Sequence, residues 1–356
     1  MNFASDNGAG AAPEILEALV AASRGVAAAY GADEYTKAAE AKLSEVFERD
    51  VAVFLVATGT GANALALGAV AQPWSAIFCH EESHIHDDEC GAPEFFTGGA
   101  KLVGIPGEGG KVTPDALRET LTRFPRGLVK SVQPGALSLS QATEAGTVYS
   151  LDEIAALTDL ARSHGLATHM DGARFANSLV ALGCAPAAMS WRAGIDVLSF
   201  GATKNGALAC EALIFFDRAK AEAFAFQRKR GGHTLSKGRF LGAQMNAYLR
   251  DDLWLALAKR ANRAAARLAR GLAALSGVRL AWPAQINEVF AIAPRAVVAP
   301  LQGAGARIYE WTSRAVAPDR APRPDEAFLR LVCSFETSDA EIDQLTSIVK
   351  AHCPKL

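Results

Sequence analysis

Between residues 50 and 216 short apolar runs alternate with longer stretches whose apolar positions recur every three or four residues. The runs at 51–56, 76–79, 101–105, 128–132, 195–198 and 212–216, with a further strand ending at Asp171, are short and bounded by turn residues, which predicts buried strands. Helical spacing follows Pro13, spans 33–49 through Ala39, Leu43, Val46 and Phe47, runs from the 57–63 junction to about 70, and covers 114–124, the last N-capped by Thr113. Ser150 and Glu153 form a capping box that opens a helix to 163, and a further helix begins at Arg174. Residues 133–147 read as a long polar loop. Alternation on this scale predicts an α/β domain with a mostly parallel sheet covered on both faces. After 240 the order changes. A helical pattern fills 240–275, and strand-like runs follow at 278–282, 289–292 and 329–333. Helices are expected near Leu301 and over 340–352, the latter opened by the Ser338/Glu341 capping box. The expected organisation is an N-terminal arm over 1–12, a large α/β domain over 13–245 and a small α+β domain over 246–356.

With 356 residues, half of them hydrophobic, the chain can hold a large core and a second lobe. A net charge of −2 gives no footing for nucleic acid or an anionic membrane. No apolar run reaches membrane length, and the first residues lack a secretory pattern. The 6 cysteines are scattered without a CxxC, which suits reduced thiols in a cytoplasm.

Open α/β sheets bind ligands beyond the carboxyl ends of their strands, and the candidate chemistry gathers there. Lys204 follows the strand at 195–198 among glycines and hydroxyls. Asp171 ends another strand 33 residues earlier, one strand-helix-strand unit away. A lysine to take an aldehyde and a carboxylate to hold a protonated pyridine are the two groups that pyridoxal 5′-phosphate (PLP) requires of a protein. Taken alone, Lys204 also fits a surface turn. The junction Ala57-Thr58-Gly59-Thr60-Gly61 opens a helix, where free N–H groups and threonine hydroxyls suit a phosphate. His80, His84 and His86 crowd one segment beside acids and Cys90. His86 is out of line with the i, i+4 pair, so a polar loop using one histidine is expected rather than a metal site. A basic stretch from Arg228 to Arg239 reads either as a solvated helix end or as a phosphate-facing loop.

Six motifs together carry a family resemblance over nearly the whole chain: Phe3-Ala4-Ser5-Asp6-Asn7, Gly59-Thr60-x-Ala62-Asn63, Asp88-Glu89-Cys90-Gly91-Ala92-Pro93-Glu94-Phe95-Phe96, Gln141-Ala142-Thr143-Glu144, His169-Met170-Asp171-Gly172-Ala173-Arg174-Phe175 and Gly201-x-Thr203-Lys204-Asn205-Gly206. The chain resembles the fold-type-I PLP enzymes and, within them, the low-specificity L-threonine aldolases, including the bacterial subgroup of phenylserine aldolases. That resemblance implies Lys204 as the cofactor lysine, with Thr203 beside it, Asp171 on the ring nitrogen, and Thr58, Gly59 and Thr60 at the phosphate. It implies His84 stacked on the ring and assisting the base, and Ser5, Arg174 and Arg330 at the substrate carboxylate. It also implies Lys229 reaching a neighbouring subunit's phosphate in a homodimer or homotetramer. Many members carry a histidine in the loop after the strand near Val132; here that loop reads Gln141-Ala142-Thr143-Glu144. The expected reaction is retro-aldol cleavage of a small β-hydroxy-α-amino acid to glycine and an aldehyde. The alternatives are β-elimination or racemisation on the same scaffold.

Overall fold

Seven strands with apolar residues on both faces make the larger sheet of the computed structural model, which describes residues 1–353. They are β1 Ala52–Val56, β2 Ser75–His80, β3 Lys101–Ile105, β4 Gln133–Ser140, β5 Ala167–Gly172, β6 Val197–Gly201 and β7 Glu211–Phe215. The spatial order is β1-β7-β6-β5-β4-β2-β3. β7 runs antiparallel to both neighbours, and the remaining pairs are parallel. The sheet is therefore mostly parallel, as expected. Helices pack on both faces, and Phe47, Phe175, Phe200 and Trp254 fill one of them with ring centroids 5.6–6.0 Å apart around Phe200.

A second sheet of order β10-β11-β9-β8 is antiparallel throughout. It comprises β8 Arg279–Leu280, β9 Glu288–Pro294, β10 Tyr309–Glu310 and β11 Glu326–Val332. It has its own core, which includes Val289, Leu329, Leu268 and Leu345. The first residues join that core. Phe3 is fully buried, its N–H donates to Arg307 O (2.9 Å), and its carbonyl accepts from Val332 N (2.8 Å). Residues 1–12 are thus a strap, with a single turn at Asp6–Gly8, and Ala12 N donates to Gly206 O (2.8 Å) beside Lys204.

Three sequence expectations are corrected. Residues 128–132 are a turn with Val129 fully exposed, and the strand lies at β4 in what read as a loop. Pro134 and Gly135 hid it. The ladder with β2 slips at this point, and a Cβ on Gly135 would lie 2.6 Å from the Ser75 side chain, so glycine is needed for the close approach. The helical pattern at 240–275 is two helices, Arg239–Leu249 and Leu253–Ala273, parted by Asp251 and Asp252 at φ 51° and 55°. Two successive left-handed residues cannot continue a helix, and Asp is among the residues that tolerate that region. The histidine loop holds a helical turn at His84–Asp87.

Candidate active site

A cavity of about 340 Å³ opens at the carboxyl ends of β1, β5 and β6. Thr58, Gly59, Thr60, His84, Asp171, Thr203 and Lys204 all line it. Ser5, Arg174, Lys229 and Arg330 do not.

At one wall the helix Gly59–Val70 begins. Thr58 is its N-cap, and its Oγ1 accepts from Gly61 N at 3.0 Å. Among the described residues nothing lies within 4 Å of a Cβ built on Gly59, so the space before this helix end is open. Gly61 is different: a Cβ there would meet His233 Nε2 at 2.2 Å. His233 therefore covers the far side of the helix start, and burial together with the Arg228 charge holds its imidazole below the usual range, hence neutral.

Asp171 closes the floor. Its Oδ1 accepts from Ala173 N (3.0 Å) and its Oδ2 from Asn63 Nδ2 (2.8 Å). Burial acts to raise its carboxyl, but the charges of His84 and Lys204 outweigh burial, and the group is held ionised below the ordinary range. Asn63 also donates to Glu89 Oε1 (2.9 Å), and that same oxygen holds His84 Nδ1 at 2.8 Å. The hydrogen bond to Glu89 raises His84 despite burial, while burial raises Glu89 against the hydrogen bonds that lower it. Beneath Asp171, His169 sits between Ser138 Oγ (2.8 Å) and Ser199 Oγ (3.0 Å), and burial pushes it down to about 4, so it is a neutral spacer.

Lys204 rides on the turn Thr203–Asn205 that leaves β6. Asn205 Nδ2 ties this turn to Tyr248 Oη and Trp254 O, both at 2.8 Å, and so anchors it to the aromatic core. Facing the lysine is Glu211, the first residue of β7. An antiparallel strand starts where its neighbours end, which is how β7 delivers a carboxylate to this edge. Glu211 Oε2 accepts from Ala202 N (2.8 Å), and burial pushes its carboxyl up to about 7 against the opposing pull of Thr203, Ala202 and Lys204.

The residues outside the cavity have partners of their own. Arg174 donates through Nε and Nη2 to Asp6 (2.8 and 3.1 Å), and its Nη2 lies 3.4 Å from Glu288. Arg330 donates through Nε and Nη2 to Glu288 Oε1 (3.1 and 2.9 Å). Ser5 caps the turn at Asp6–Gly8 through Asn7 N. Lys229 lies on the outer helix Phe224–Arg230, with its ammonium 5.0 Å from the Tyr30 ring. It faces an aromatic surface rather than the cavity. The three histidines diverge: His80 contacts Gly107 O and Glu82 N, His86 pairs with Asp87, and only His84 reaches the cavity. Among the described residues no group of three His, Cys, Asp or Glu side chains is placed to share a metal ion.

Sequence reasoning missed Asn63, Glu89, Glu144 and Glu211. Asn63 and Glu89 fall inside quoted motifs, and their helical or turn positions gave no sign that they touch. Glu211 read as the start of a buried strand.

A family model described as beta-eliminating lyase matches residues 2–294. The chain belongs to the beta-eliminating lyase family. It is 40% identical over 348 residues to a low specificity L-threonine aldolase of Pseudomonas aeruginosa, covering 98% of this chain and 96% of that one. A Pseudomonas sp. protein of the same description is also 40% identical, over 349 residues, with 98% and 97% covered. A solved threonine aldolase from Leishmania major superposes with a TM-score of 0.90 at 29% identity, over 98% of each chain. A serine palmitoyltransferase of Sphingomonas wittichii shares the fold alone, with a TM-score of 0.68 at 17% identity over 99% of this chain and 86% of the other. This lyase-family chain thus has the fold-type-I architecture. None of its described helices is long and apolar enough to cross a membrane.

Proposed function

We propose that this lyase is a PLP-dependent, low-specificity L-threonine aldolase that cleaves L-threonine, L-allo-threonine or L-phenylserine to glycine and the corresponding aldehyde. One observation carries the reading: Lys204, the ionised Asp171 and the open start of the helix Gly59–Val70 face a single cavity. The near-full-length similarity to L-threonine aldolases supports it. The residues fit the cofactor. Thr58, the first-turn amides at Gly59 and Thr60, and Thr203 would hold its phosphate, Asp171 its ring nitrogen, and Lys204 its aldehyde carbon. Bound there, PLP supplies an electron sink for the bond broken at Cα.

The chain's own groups do the rest. Asp171, fixed by Asn63 and Ala173 N, keeps a cationic nitrogen protonated beside it. In its neutral form His84 donates Nδ1–H to Glu89, which leaves Nε2 to take the proton from the substrate β-hydroxyl. Glu89 then shares the positive charge. Arg174 and Arg330, with Ser5, form the carboxylate clamp that sets which bond at Cα stands ready to break. Lys229 and the exposed Phe95 and Phe226 would lie at the interface of a homodimer or homotetramer. We place the domains at 1–12, 13–245 and 246–356, and the protein in the cytoplasm.

The test is release of aldehyde from the three L-substrates with their D-isomers as controls. Aldehyde and glycine in equal amounts from the L-forms support the assignment. Ammonia and a keto acid instead would replace it with β-elimination.

A further inference from the structure

Arg174 follows β5 of the large sheet, Arg330 stands on β11 of the small one, and the site is closed by two carboxylates. Asp6 takes Nε and Nη2 of Arg174 as a bidentate pair at 2.8 and 3.1 Å. Glu288, at the start of β9, takes Nε and Nη2 of Arg330 and stands 3.4 Å from Nη2 of Arg174. All four side chains are buried. Two guanidiniums and two carboxylates leave no net charge to attract a third carboxylate. Burying a further anion there without a counter-charge is strongly unfavourable. The two resident acids are not held alike. Asp6 uses both oxygens and gains a third donor, Asn287 Nδ2 at 3.0 Å. Glu288 crowds every contact onto Oε1, while its Oε2 is buried without a hydrogen-bond partner among the described residues. An unpartnered buried carboxylate oxygen is costly. Glu288 is the weakly held member, and it sits in the fork of Arg330 in the manner of a substrate carboxylate.

We propose that Glu288 is a specificity-determining counter-charge: it fills the arginine clamp in the absence of substrate, and an amino acid binds by displacing it. The inference rests on the clamp role given to Arg174 and Arg330 above. Its consequence is that affinity for simple amino acids is set by competition between two carboxylates for the same guanidiniums. The other charged groups near this cluster are Lys204, whose charge reaches Asp6, and Glu144, whose charge reaches Arg174. Neither pairs with Glu288.

The experiment titrates the PLP-loaded enzyme with glycine, read by the cofactor's visible absorbance, and measures KM for L-threonine. In Glu288→Gln the competing charge is gone but the side chain keeps its shape. Glycine Kd and L-threonine KM should both fall about tenfold, the scale of one hydrogen bond to a charged group, and the factor on KM should exceed any factor on kcat. Glu288→Asp, which withdraws the carboxylate by one methylene, should shift both constants the same way by a smaller factor. It serves as the test if the glutamine variant does not fold. A residue that only braced the fold would lower the melting temperature and leave glycine binding unchanged. Unchanged or weaker glycine binding in either variant overturns the proposal. Arg330→Lys separates the two readings. If it leaves L-threonine KM unchanged, the clamp assignment fails; if it raises KM while Glu288→Gln does not lower it, only the counter-charge role fails.

Discussion

Glu211 allows a prediction whose size follows from its burial. In the folded chain its carboxyl moves from an ordinary 4.5 up to about 7, with burial the leading cause. Below 4.5 the folded and unfolded chains both carry the proton. Between 4.5 and about 7 the folded chain keeps the proton that the unfolded chain has released, so stability falls as pH rises through this window and the loss is complete above it. The interval corresponds to ~3 kcal/mol. For a chain of 356 residues that is ~4 °C in melting temperature. Glu211→Gln keeps an oxygen for Ala202 N and removes the titration. The assay is thermal melting of the cofactor-free wild type and variant at pH 5 and pH 8. Melting of the variant minus that of the wild type should grow by most of those ~4 °C between the two pH values. Lys204, Thr203, Cys210 and Tyr248 surround the carboxylate and are common to both proteins. Parallel melting curves across pH would refute the reasoning and show that Glu211 is ionised in the folded chain.

Lys204→Ala should abolish the visible absorbance of the cofactor-loaded enzyme and nearly all turnover; an unchanged spectrum removes Lys204 from the site. His84→Phe should lower kcat by roughly 10²-fold with the spectrum intact, whereas His80→Ala, outside the cavity, should do much less. Full activity in His84→Phe would place the base elsewhere. Phe200→Ala should cost about 3–5 kcal/mol in denaturant unfolding, because Phe200 is fully buried among Phe47, Phe175, Tyr248 and Trp254.

The large sheet was readable because buried parallel strands are continuous apolar runs, and the capping boxes at Ser150 and Ser338 fix two helix starts to the residue. β4 was not, because its signal is a ladder irregularity: Gly135 is required by Ser75, a residue of another strand, and no local pattern reports that. The break at Asp251 and Asp252 likewise lacks a glycine or proline to mark it. At the site, strand ends were visible and side-chain neighbours were not. Asn63 and Asp171 are 108 residues apart in the chain and 2.8 Å apart in space. Only the family resemblance assigns the arginines to a substrate carboxylate, and their present partners, Asp6 and Glu288, come from the N-terminal strap and the small sheet, which spacing along the chain does not report.

The strap has a consequence for how the molecule is made. Beyond Arg174 and Gly206 in mid-chain, its partners lie toward the opposite end: Asp6 meets Asn287, Phe3 meets Arg307 and Val332, and Gly10 N meets Glu336 at 3.1 Å. On a ribosome these first residues emerge with nothing to dock on, and they wait until almost the whole polypeptide has appeared. The large sheet can form well before then, but Arg174 remains a buried cation in search of its acids until both the strap and β9 arrive. Closure of this very long loop is therefore the step that brings Asp6 and Glu288 to Arg174. Full activity should lag behind the formation of secondary structure in refolding, as expected when contacts of very large sequence separation form last.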